Sequence, residues 1–322
     1  WAWREVLLLA FGSILIAVGL HGIADPVARR TPLSTGVALL LAGLLVLAAL
    51  AGIGWLFGAQ LAGQFDAMFG QLPEAWERLR ANLQEHVFGR ALVAELERWT
   101  STGGENPMGA AVTRVGGYTM SLAGGLTTAL LVVFAAGFIA ASPRIYVDGA
   151  LTLLPRRARP GVERSLQASS RALKKWLLGT LASMLAITAM LALALWLLGV
   201  PAFMALALIA GLAQFVPVVG PLLAAIPGIL LALTVGAETA AWTALAYFVA
   251  SQLEANLLYP LIQQRAVSLP PALTLFAIIA MGVLFGPLGV VLAAPLTVVL
   301  AIFTVTLYVN GVLKEAAPVP GA

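Results

Sequence analysis

Long apolar runs separated by short polar gaps set the pattern of this chain. Runs near twenty residues or more recur at 5–24, 33–57, 108–141, 176–198 and 239–259, without the period-2 alternation of a barrel strand. With no water at hand, backbone amides and carbonyls in such runs are satisfied only in helices. The pattern therefore predicts an all-α integral membrane protein, a polytopic helical bundle. Two short segments, 203–215 and 222–235, follow the fourth run, and a short and a longer one, 272–285 and 288–310, close the chain.

Two polar regions interrupt the early runs. Residues 58–107 carry the acids Asp66, Glu74, Glu77, Glu85, Glu95, Glu97 and Glu105 against four arginines, with Leu72, Trp76, Leu79, Leu83, Val87 and Phe88 at helical spacing. Residues 143–175 carry eight bases, among them Arg144, Arg156, Arg164, Arg171, Lys174 and Lys175, against Asp148 and Glu163. The excess of Lys and Arg places the second region in the cytoplasm and the acidic amphipathic region outside. Val162, Leu166, Ser169, Leu173 and Trp176 share one face there, the pattern of an amphipathic helix on a lipid surface. Counting spans back from this point puts Trp1 outside, whereas Arg4 favours the inside. Either the first segment is re-entrant or a helix precedes it.

The expected organisation is N-terminal membrane helices at 1–57, the extracytoplasmic amphipathic region at 58–107 and a membrane helix at 108–142. A basic cytoplasmic segment follows at 143–175, then two repeats at 176–236 and 237–311, and a tail at 312–322.

Composition agrees. Of the 322 residues 61% are hydrophobic and 10% charged, against about 25% charged in soluble domains. The mean hydropathy is +0.98. The absence of cysteine excludes disulfides, thiol catalysis and cysteine metal sites. His21 and His86 lie far apart on dissimilar segments and read as interfacial groups, not metal ligands. No GxxxxGKS/T loop or HExxH helix appears, and no span carries a Ser/His, paired-Asp or zinc constellation. The chain reads as a non-enzyme without a cofactor, with the bilayer as its partner and no nucleic acid.

The C-terminal half repeats a theme. A long helix (176–198), a short helix (203–215), Gly220–Pro221 and a helix broken at Pro227 form one unit. A long helix (239–259), a short helix (272–285), Gly286–Pro287 with Gly289 and a helix interrupted at Pro295 form the other. The first unit begins inside and ends outside, and the second does the reverse, as in the inverted repeats of secondary transporters. The short helices reach only about 20 Å, less than the roughly 30 Å of hydrocarbon, so they are re-entrant or meet irregular backbone inside the bilayer. Such backbone survives only when buried in protein or lining a wet cavity. Kinks that serve close packing alone are the other reading of the same prolines.

Polar residues within spans sharpen the choice. Gln252, Glu254 and Asn256 cluster just before Pro260, and Gln214 stands just before Pro217. Glu254 is an acid well inside a span, where a carboxylate is costly unless paired or protonated. It is either a proton or cation carrier or a structural partner for Arg265 or Arg171.

The run from Arg171 to about Phe303 resembles the AI-2E family, the autoinducer-2 exporter-like membrane proteins. The matching pieces are Leu198-Gly-Val-Pro201, Phe215-Val-Pro-Val-Val-Gly-Pro221 with Ile226-Pro227, Gln252-Leu-Glu-Ala-Asn256 with Pro260, and Leu284-Phe-Gly-Pro-Leu-Gly289 with Ala294-Pro295. The resemblance implies a multi-pass bacterial inner-membrane protein, a homo-oligomer. It implies export of a small polar solute such as autoinducer-2, or Na⁺(Li⁺)/H⁺ antiport. Pro217, Gly220 and Pro221 match the first signature, Glu254, Asn256 and Pro260 the second, and Gly286 and Gly289 the third. Gly179-Thr180 departs from the Gly-Gln usual in the family. A channel-like or scaffold oligomer without transport is the reading of another class.

Overall fold

The computed structural model describes residues 2–84, 122–258, 270–315 and 317, and among these every regular element is helical. The amphipathic segment beyond residue 84, the start of the third run, Pro260 and Arg265 lie outside the described residues.

Helix α1 (Ala2–Arg30) is a single helix of 29 residues, long and apolar enough to cross a bilayer. Ser34 caps helix α2 (Thr35–Gln84), its Oγ accepting from the Val37 amide at 3.4 Å. Those 50 residues extend about 75 Å, so the boundary expected at 57–58 falls inside one helix. Helix α3 (Leu122–Ala141) meets helix α4 (Pro143–Thr152) at a bend of 86°, where Pro143 starts the new helix.

Helix α5 (Arg159–Leu197) is the axis of the fold. The basic stretch runs straight into the fourth apolar run, with no break at 175–176. Its apolar face does not lie on lipid: Ala168, Ala172, Leu173 and Trp176 are buried against α1 and the last long helix. Coverage by neighbouring helices wins over the lipid surface there. The helix ends where Val200 N–H reaches the Leu195 carbonyl and Gly199 N–H the Trp196 carbonyl, with Gly199 at φ 66°. This paired closure needs a left-handed residue, and Pro201 prevents any continuation.

Two broken hairpins flank α5. The first joins helix α6 (Phe203–Ala213) to helix α7 (Val219–Val235). Its break falls at 214–218, ahead of Gly220 and Pro221, which occupy the first turn of α7. Val218 sits at φ 67°, ψ −56°, and the Val219 amide donates to the Pro217 carbonyl at 2.8 Å, the rare positive-φ γ-turn. Helix α8 (Ala237–Leu253) follows and continues into a wider turn at Glu254–Leu258. Helix α9 (Pro271–Phe303) holds the second break, at Gly286 with φ 68°, ψ −154°. Pro227 and Pro295 do not interrupt α7 and α9, against expectation. Each costs one helical hydrogen bond, which packing offsets: Pro295 is fully buried and Gly228 lies against Tyr247.

Helix α5 carries two separate cores. Its N-terminal half packs Trp176 with Leu8 and Leu15 of α1 and Leu292, Val298 and Ile302 of α9. Its C-terminal half packs Ile187, Leu191 and Leu195 with Leu206 of α6, Leu231 of α7, Tyr247 of α8 and Met68 and Leu72 of α2. Near the seam of α1, α3 and α5, Lys174 Nζ donates to Asp25 at 2.7 Å and to the His21 carbonyl at 3.1 Å. His21 Nε2 faces the Ala140 carbonyl at 3.0 Å. Large apolar side chains such as Leu7, Leu40, Leu185 and Val283 cover the outside, the surface a helical bundle presents to lipid.

Candidate functional site

The break at 214–218 hangs beside the middle of α5. Chain direction explains how it gets there: α6 leaves the C-terminal end of α5 and runs back along it, so Gly211 lies against Thr188 and Met184. Phe215 at the tip meets Trp176 edge-on, with ring centroids 5.5 Å apart and planes at 78°. The second limb of α9, continued by a wider turn at Thr304–Val309, runs along α5 from the other end, with Leu307 against Gly161. The two tips therefore point opposite ways along one helix.

Between them is a cavity of about 650 Å³. Trp176, Thr180 and Ser183 of α5 form one wall at spacings of four and three, a single helical face. Tyr247, Ser251 and Glu254, at the same spacings, form a second from α8. The break at 214–218 supplies Gln214, Pro217 and Val218, α7 supplies Pro221, Leu222 and Ile229, and α9 supplies Thr274, Ala294 and Val298. No Cα of α9 comes within 8 Å of one in α7 or α8, among the described residues. The cavity occupies that gap.

Its polarity is sparse and directed. The Gln214 carboxamide is the polar group that interacts with the half-buried Glu254 carboxylate. Pairing with Arg171 or Arg265 was the structural alternative that sequence offered, and Arg265 lies outside the described residues. Ser183 is 1% exposed and Tyr247 6%, and neither hydroxyl has a hydrogen-bond partner among the described residues. Orphaned buried hydroxyls carry a desolvation cost.

Of the residues expected at the site, Gln214, Pro217, Pro221 and Glu254 line the cavity. Gly220, Pro227, Gly286, Pro287, Gly289 and Pro295 do not line it; they belong to the helices around it. Gln252 and Asn256 face away: two residues from Glu254 is about 200° round a helix. The Asn256 amide donates instead to the Gln252 carbonyl at 2.9 Å and to its side chain at 3.0 Å. Trp176, Thr180, Ser183, Tyr247, Phe248 and Thr274 were not anticipated. For Trp176, Thr180, Ser183 and Tyr247 the signal was available as hydroxyls and aromatics recurring at i, i+4 and i+7 in otherwise apolar runs.

A model of the AI-2E family transporter matches residues 1–308. YrrI of Bacillus subtilis (strain 168), a transport protein by name, is 32% identical over 110 residues, which are 34% of this chain and 31% of that protein. MT0215 of Mycobacterium tuberculosis (strain CDC 1551 / Oshkosh), also a transport protein by name, is 32% identical over 171 residues, 53% of this chain and 47% of its own. The matches thus cover 31% and 47% of these relatives' own length, less than half of each.

Proposed function

Because the chain belongs to the AI-2E family of transporters, we propose that it is a secondary transporter that moves a small organic solute bearing polar groups through the cavity between its two hairpins. The single observation that carries this reading is the cavity itself. It is walled by both broken hairpins, and two of its buried hydroxyls lack partners. Opposed tips beside one helix support an inverted pair of units, the arrangement on which alternating access is built. Glu254 is the group that would carry a proton or cation along with the solute. Export of an autoinducer-2-like signal across a bacterial inner membrane, by a homo-oligomer, is the form of this activity that the family suggests.

Na⁺(Li⁺)/H⁺ antiport through Glu254 is the second reading, favoured by the same carboxylate. The cavity suits it less well. A bare cation needs a tight shell of about six oxygens, whereas these walls are wide and mostly apolar.

Reconstitution into liposomes holding a pH-sensitive dye tests both. Gradients of Na⁺, Li⁺ or a diol-type signal are imposed in turn. Solute-dependent proton movement abolished by Glu254→Gln is the expected result, and flux indifferent to that change removes Glu254 from the mechanism. No flux of any solute through an intact protein leaves only the scaffold reading.

A further inference from the structure

The chemistry of the cavity walls narrows the solute. Among the described lining residues Glu254 is the one carboxylate, and none is a lysine, arginine or histidine. Among the described residues no base pairs with Glu254; the ion pairs there join other acids to their bases. Its polar neighbour is the neutral Gln214. An anion entering the cavity would meet an unbalanced negative charge. With a neutral solute the carboxyl would have to hold a proton to avoid an uncompensated charge in surroundings of low dielectric. A cation neutralises it.

The remaining walls describe the rest of the molecule. Trp176, Tyr247 and Phe248 supply three aromatic rings, whose faces attract cations and whose area suits an apolar body. A volume of about 650 Å³ lies within the range of small-molecule sites and far exceeds a monatomic ion.

We propose that the cavity binds a monovalent organic cation, an ammonium head set against Glu254 with an aromatic or aliphatic body among Trp176, Tyr247 and Phe248. This rests on the cavity being the solute path proposed above. It adds the sign of the charge and the apolar character of the body.

The test uses the full chain in detergent and radiolabelled phenyltrimethylammonium as the probe, displaced by three unlabelled competitors. These are the cation itself, tert-butylbenzene, which has the same shape without the charge, and benzenesulfonate. Saturable binding of the cation is expected, with weak displacement by tert-butylbenzene and none by benzenesulfonate. Glu254→Gln should weaken the cation about tenfold or more and leave tert-butylbenzene unchanged, which also shows that the variant is folded. Phe248→Leu, at an exposed position that tolerates change, should weaken the cation several-fold and spare the neutral compound. Cation binding unaffected by Glu254→Gln, or tert-butylbenzene competing as well as the cation does, overturns the charge assignment while the solute cavity stands. Failure of every compound to occupy the site overturns both.

Discussion

The two broken hairpins solve the same problem with different backbone chemistry. In α9 the chain turns at Gly286, whose φ 68° and ψ −154° are a conformation that only glycine adopts without strain. Between α6 and α7 the turn is made by Val218, a β-branched residue at φ 67°, where such residues are genuine outliers. A residue held there stores about 1–3 kcal/mol, which the surroundings must offset. The surroundings differ accordingly. The first hairpin is braced by α2: the Gln64 Oε1 accepts from the amides of Met204 and Ala205 at 3.0 and 3.2 Å, and Arg78 donates to the Thr234 carbonyl at 3.1 Å. The second packs on α5 and α1 alone among the described helices outside its own hairpin. Strain is concentrated where bracing is greatest, and the strained turn is the one on the cavity wall.

Substitutions that act on both hairpins show how far the parallel extends. Each tip is closed by a glycine against a carbonyl of the opposite limb, Gly220 on Ala213 and Gly289 on Met281. Backbone cannot swing aside as a side chain does. Gly220→Ala and Gly289→Ala should each destabilise by about 3 kcal/mol in denaturant unfolding of the detergent-solubilised protein. A large loss at one tip alone would show that the parallel is superficial.

The next effect separates the hairpins by sign. Gly286→Ala should cost about 2 kcal/mol, because alanine is strained where Gly286 stands. Val218→Gly should be neutral or stabilising by up to about 1 kcal/mol, relief of strain exceeding the greater freedom of the unfolded chain. The same unfolding measurement reads both, and a loss at Val218 would mean that its side chain, not its turn, matters. Gly228→Ala comes next, at about 1–2 kcal/mol: a Cβ there would lie 2.6 Å from the Tyr247 ring, which can yield. Weaker probe binding should accompany it, since Tyr247 lines the cavity. The smallest effect is the loss of the brace. Gln64→Ala should lower stability by about 1 kcal/mol, the worth of a helix N-cap, and leave the α9 hairpin untouched in hydrogen exchange.

Much of this was legible in sequence because lipid imposes strong rules. Apolar runs marked α1 and the membrane half of α5, and the Gly-Pro pairs marked both breaks to within a few residues. What stayed hidden depends on distance or on phase. Nothing local announces that Gln64 will cap a helix some 140 residues away. No propensity places a valine at positive φ, since only the surrounding packing holds it there. Gln252, Glu254 and Asn256 are neighbours in sequence, yet helical phase sends one to the cavity and two to the outside. Pro227 and Pro295 read as breaks because their intrinsic preference is strong, and their neighbours overrule it.

Gln64 and Arg78 stand fourteen residues apart on α2, a span of about 21 Å. They grip the start of α6 and the end of α7, so α2 acts as a rigid gauge that sets how wide the hairpin opens. Met68 and Leu72, between the two grips, are the shim that keeps it from collapsing.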